Sequence, residues 1–224
     1  MRRSGNSDKS GVKFSVNIDR PDSSCPRTLA LQRWTRRKLG AIDHELRVRA
    51  IAGKLFDLTW PLHTLSRSDR KLLQMAAIVH DVGRSIDDAT HPKQGAALLR
   101  DAQMLPISAS ERRALMYLTR HHRGDVPALG CDDILRGSDD HETQMKLLAL
   151  LRAADSLDSR TVESPSLVFE LSNRRLNITC CLTELTPKAL HVYGRRKKFR
   201  LLEEVLHLHV QLRIVASEQL RVVA

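Results

Sequence analysis

Two histidines and an aspartate lie on the apolar faces of three helical segments far apart in the chain, and this limits the fold more than any other feature. In the segment from 41 to 58, His44 stands at offsets of four, seven and eleven from Val48, Ile51 and Leu55, the spacing of one helix face. His80 shares a face with Leu73, Ala76 and Ala77, and Asp155 follows Leu148 and Leu151 by seven and four residues. A carboxylate drawn out of water by its own helix is costly unless a metal or an arginine meets it. The fold must bring partners to these side chains. Backbone hydrogen bonding would be enough for His44 alone, and Arg152, on the face of Asp155, is that residue's competing partner.

Apolar spacing predicts helices near 28–39, 41–58, 68–82, 92–104, 109–122 and 141–159. Ser108 with Glu111 reads as a capping box, and Ser68 or Asp69 as the start of the helix leading to His80. Residues 1–27, rich in Ser, Asp, Arg and Pro, read as a disordered leader. Past Thr161 the runs SLVFEL, RLNITCCL, ALHVYG and LHLHVQLRIV read as strands, with a short helical piece around 197–205 before the last. His207 and His209 fall on the solvent face of that last run. The expected fold is mainly α: a helical bundle over 28–160 with a small α+β appendage, 161–224, packed on it.

The formal charge of +11 resides at the ends. Residues 1–38 carry ten basic and three acidic side chains, residues 39–160 seventeen of each, and residues 161–224 ten against six. A neutral middle with only 4% aromatic residues argues against a nucleic-acid groove or a base-stacking platform. Arg33, Arg36, Arg37 and Lys38, and the run RRKKFR at 195–200, read as solubilising surface in preference to nucleic-acid contacts. Cysteines at 25, 131, 180 and 181 lack metal-knuckle spacing, which excludes a zinc ribbon or disulfide framework. The absence of a signal-like or membrane-spanning apolar run leads us to expect a cytoplasmic protein without membrane contact; self-association as a homodimer is left open.

The chemistry concentrates in LLQMAAIVHDVGRS, where His80-Asp81 closes an Ala/Leu-rich helix and Gly83 permits the turn. Together with His44 and Asp155 this makes two imidazoles and two carboxylates, a donor set suited to a divalent Mn, Fe, Co, Zn or Mg ion. His91 and the pair His121-His122 are candidates for a second ion, with His122 continuing the Leu115–Leu118 face. Arg84, Lys93 and Arg123, each within four residues of a proposed ligand, are candidates for binding phosphate oxygens.

The order His44, His80-Asp81, Asp155 resembles the HD superfamily of metal-dependent phosphohydrolases. More narrowly, HELRVRAIAGKLFDL, AAIVHDVGRSI, RHHRGDVP and LLALLRAADSLDSR resemble the C-terminal HD-like domain of the exopolyphosphatase and guanosine-pentaphosphate phosphatase (Ppx/GppA) family, over roughly residues 40–216. The resemblance implies an HD-type helical bundle with a C-terminal appendage, standing without the actin-like domain that carries that family's better-known catalytic site. Where the family tends to have His-x-Lys-His-Ser, the chain reads His91-Pro92-Lys93-Gln94-Gly95, closer to the His-Gly segment of HD-type dinucleoside-tetraphosphate hydrolases, which use two metals.

Two functions follow as expectations. The first is a hydrolase that attacks a nucleotide, dinucleoside polyphosphate or other phosphoanhydride with metal-activated water. The second is a non-catalytic module that binds polyphosphate or an alarmone nucleotide and keeps the metal site. Both take a phosphorylated small molecule or polyphosphate as partner and one or two divalent ions as cofactor.

Overall fold

The computed structural model describes residues 14–15, 25–128, 130–137 and 139–217 of the chain. Helices α1 (Pro26–Leu39), α2 (Asp43–Leu58), α3 (Trp60–His63), α4 (Arg67–Val79), α5 (His91–Asp101), α6 (Ala109–His121) and α7 (His141–Ser156) form the bundle, with a 3-10 turn at Val82–Ser85 after α4. Capping boxes start α4 and α6. Ser108 with Glu111 is the one expected, but at α4 the cap is Ser66 with Asp69, two residues before the expected start. Helix α4 packs on α1, α2, α6 and α7, so the segment ending in His80 runs through the middle of the bundle. Its residues Leu73, Ala76, Ala77, Ile78 and Val79 have no solvent exposure.

The appendage is a sheet in the order β1–β2–β3–β4, in which β1 (Phe14–Ser15), β2 (Ser166–Ser172) and β3 (Arg175–Leu182) pair antiparallel. β4 (His209–Ala216) runs parallel to β3. A parallel partner demands a crossover, supplied by α8 (Pro187–Tyr193), a 3-10 turn at Arg196–Phe199 and α9 (Arg200–Leu206). The crossover corrects one expectation, because ALHVYG is helical. Thr186 caps it by accepting from the Ala189 N–H, and Pro187 occupies the first turn, where its missing donor costs nothing. His207 and His209 are exposed, as the alternation implied.

One continuous apolar core joins Leu167, Phe169, Leu176 and Ile178 of the sheet to the bundle. Both α9 and the turn at Arg196–Phe199 pack on α7, so the crossover lies beside the end of the helix that carries Asp155. Most of the expected leader falls outside the described residues; within them, Phe14–Ser15 pairs with Phe169 and Val168, and α1 already begins at Pro26. The four cysteines are free, and Cys180 belongs to the core.

Candidate metal centre

The expected ligands occupy helix ends, where the backbone leaves polar groups unpaired. His44 stands in the first turn of α2, His80 and His122 just past the last residues of α4 and α6, His91 at the start of α5, and Asp155 in the last turn of α7. His80 Nδ1 donates to the Ala77 carbonyl at 2.8 Å, His122 Nδ1 to Thr119 at 2.7 Å and His91 Nδ1 to Asp88 at 2.6 Å. A carbonyl only accepts, so each Nδ1 carries the hydrogen and each neutral ring has its lone pair on Nε2. His44 Nδ1 is held at 2.6 Å by Asp158 Oδ2, and Arg47 Nε grips the other oxygen of that carboxylate at 2.8 Å.

The four Nε2 atoms converge on two carboxylates. Asp155 Oδ1 lies 3.3 Å from His44 Nε2 and 3.5 Å from His80 Nε2. Asp81 Oδ1 lies 3.7 Å from His80, 3.1 Å from His91 and 3.3 Å from His122, while its Oδ2 is 3.9 Å from His44 Nε2. Donors that share an ion at about 2.1 Å sit roughly 3–4 Å from one another, so the spacing suits a bound cation. His44 Nε2, His80 Nε2, Asp81 Oδ1 and Asp155 Oδ1 are buried without a hydrogen-bond partner. The structure therefore offers two ligand groups that could hold a metal, His44–His80–Asp81 and Asp81–His91–His122, with Asp81 common to both.

Gly83 makes the second group possible. A Cβ there would lie 2.0 Å from the His91 carbonyl oxygen and 2.4 Å from Gly95 N, so only glycine lets the start of α5 close onto the His80-Asp81 corner. Gly95 matches it, since a Cβ at that position would meet Thr119 Cγ2 at 2.7 Å. The departure at Gln94-Gly95 thus serves close packing between α5, α6 and the 3-10 turn.

Burial would lower both His44 and His80. The close approach of Asp155 and the bond to Asp158 outweigh it at His44, and the charges of Asp81, Asp155 and Glu45 bring His80 up to about 9. Burial would likewise raise the two carboxylates, but His80 with His122 and His91 holds Asp81 well below the usual range, and His44 with His80 does so for Asp155. Buried acid charge is balanced by protons on the imidazoles, the role a cation would take over. His122 is lowered, mainly by burial, and so stays a neutral donor.

A cleft of about 840 Å³ opens over this centre. Arg123, expected to bind phosphate, lines it with Nη2 3.5 Å from Asp155 Oδ2. Arg84 also lines it, but its Nε is held by Asp81 Oδ2 at 2.8 Å and its Nη1 by Asp88. Two of the expected side chains lie elsewhere. His121 turns away to Asp132 Oδ2 at 2.6 Å, and Lys93 is exposed on α5 and does not line the cleft. Arg152 bonds the carbonyls of His121 and Gly124 and leaves Asp155 to the histidines and Arg123.

Sequence reasoning missed Asp158, Glu45 and Arg160 as parts of this site. It also placed RRKKFR on open surface, whereas Arg195, Lys197, Lys198 and Arg200 line the cleft, brought there by the packing of the crossover on α7.

The family described as Ppx/GppA phosphatase, domain III, matches residues 35–184. The chain belongs to this family. The matched span includes the five helix ends that build the centre and the antiparallel pair β2 and β3, so the residues that converge here all lie within the Ppx/GppA domain III match. It stops before the Arg195–Arg200 segment, which adds a basic wall to that frame. Among the described residues, no helix is long and apolar enough to cross a membrane.

Proposed function

We propose that the protein is a metal-dependent phosphohydrolase acting on a nucleotide, dinucleoside polyphosphate or other phosphoanhydride. His44, His80, Asp81 and Asp155 would hold one divalent cation, and Asp81, His91 and His122 a second. The observation that carries this reading is the meeting of His91 and His122. Their Nε2 atoms lie 3.2 Å apart, both Nδ1 hydrogens are already committed to carbonyls, and Asp81 Oδ1 is about as close to each. Two imidazole lone pairs and a carboxylate oxygen repel at that separation unless a proton or a cation lies among them.

A divalent Mn, Fe, Co, Zn or Mg ion in such a site acidifies water and offsets charge on a phosphoryl oxygen. The protein's own groups do the rest. Asp158 fixes the ring and tautomer of His44, Arg84 and Arg160 hold Oδ2 of Asp81 so that Oδ1 faces the histidines, and Arg123 stands ready at the cleft wall for a phosphate oxygen. Arg195, Lys197 and Lys198 make the approach attractive to a polyanion.

The test is a phosphate-release screen of purified protein loaded with Mn, Fe, Co, Zn or Mg, against nucleotides, dinucleoside polyphosphates and polyphosphate. Release with one metal, abolished by Asp81→Asn, is the expected result. Tight binding without release under every metal would replace this reading with that of a polyphosphate- or alarmone-binding module.

A further inference from the structure

We propose that Arg160 is the side chain that receives the reacting phosphoryl group and that Glu45 is the residue that positions it; this deepens the hydrolase reading and rests on it for where the phosphorus sits. Arg160 follows α7 by four residues and lines the same cleft as His44, Asp155 and Asp158. Its Nη2 bonds Glu45 Oε1 and lies 3.2 Å from Asp81 Oδ2, and its Nε is 3.3 Å from the same Asp81 oxygen. Both carboxylates are fully buried, whereas the Arg160 side chain is 31% exposed. One edge of the guanidinium is thus anchored inside the protein. Nη1 has no partner among the described residues, which leaves two N–H donors on a side chain that borders the cleft.

A purely structural ion pair would spend its donors on protein carboxylates. Arg84, which also lines the cleft, is nearer that case, with its Nε on Asp81 and its Nη1 on Asp88. Besides the effect of its charge on His80, Glu45 is committed to Arg160: among the described residues its Oε1 bonds that side chain alone, and its Oε2 is buried without a partner. An arginine fixed in this way loses little rotamer freedom when an anion arrives, and its planar fork suits phosphate oxygens.

The probe is inorganic phosphate, titrated by calorimetry and by thermal shift into metal-loaded wild type, Arg160→Gln, Arg160→Lys, Glu45→Gln and the Glu45→Gln/Arg160→Gln double variant, with metal content measured on each sample. Arg160→Gln is expected to keep its metal, because Arg84 at 2.8 Å still holds Asp81 Oδ2, and to raise the phosphate Kd roughly tenfold or more. Arg160→Lys, which keeps the charge but loses the fork, and Glu45→Gln, which keeps the shape but loses the charge, should each raise it roughly threefold. The Glu45 effect should vanish in the double variant, because a residue acting through Arg160 has nothing left to act through. Wild-type phosphate affinity in Arg160→Gln with metal retained overturns the proposal, and so does an additive Glu45 effect. If Arg160→Gln does not fold, Arg160→Lys decides by the same comparison. A wild type that takes up no metal overturns the hydrolase reading instead, and leaves the comparison between variants intact.

Discussion

Replacing Asp158 by asparagine changes one atom and removes the support behind His44. Asp158 Oδ2 accepts from His44 Nδ1 at 2.6 Å, and Oδ1 accepts from Arg47 Nε at 2.8 Å. An asparagine has one acceptor to offer two donors. If its oxygen turns to His44, the amide N–H faces Arg47; if it turns to Arg47, His44 Nδ1 meets a donor and the ring is driven to the tautomer that has no lone pair on Nε2. A buried donor left unpaired costs about 1–3 kcal/mol of stability. The loss of a carboxylate behind a ligating histidine typically weakens metal binding about 10–100-fold, or about 1.4–2.8 kcal/mol. The assay is competition for Zn or Mn between the apoprotein and a chromophoric chelator, with urea unfolding run on the same preparations. Asp158→Asn at wild-type metal affinity would refute the argument that His44 ligates through an oriented Nε2. Asp139→Asn, which disturbs the pair with Arg113 at 2.7 Å and the bond from the Arg136 N–H but no residue of the centre, is the matched control and should leave metal affinity unchanged.

The backbone and a remote histidine provide two more tests. Gly83→Ala places a Cβ against backbone atoms of His91 and Gly95 that cannot yield cheaply, so urea unfolding should show a loss of about 4 kcal/mol or more; a loss below about 1 kcal/mol would mean that α5 does not depend on this close approach. His63 is lowered below its usual 6.5, first by burial, and its Nδ1 accepts the Leu65 N–H while Nε2 donates to the Phe56 carbonyl. The unfolded chain takes up that proton first, so the stability owed to neutral His63 is complete above about pH 6.5 and is lost as pH falls below it toward and through the folded value. Between about pH 7.5 and about pH 5.5 the urea midpoint of wild type should fall further than that of His63→Gln, and equal falls would contradict the assignment.

The legible parts of the site were those where chemistry conflicted with pattern. His44, His80 and Asp155 could be read because a polar residue on an apolar helix face asks for a partner, and His122 because it continued the Leu115–Leu118 face. The same face count set His122 ahead of His121 but did not show where His121 goes, and the fold turns it toward Asp132. Asp158 and Arg160 lie beyond the end of α7, where helical periodicity has stopped carrying information, and Glu45 is buried off the stripe that marked its neighbour. Thr186-Pro187 was a readable helix start, overridden by the short alternation of ALHVYG. The two-residue strand β1 carries too little pattern to be seen against its leader. The basic run at 195–200 was visible as charge, but its place beside Asp155 depends on a parallel crossover that no local signal announced.

The most direct measurement is the metal content, by elemental analysis, of protein reloaded with Mn or Zn and desalted, for wild type, His80→Ala, Asp155→Ala and His121→Ala. Wild type and His121→Ala should retain bound metal, while His80→Ala and Asp155→Ala lose it and keep the helical circular-dichroism signal. Equal metal content in wild type, His80→Ala and Asp155→Ala would contradict the account, because the gathered lone pairs would then have no common cation.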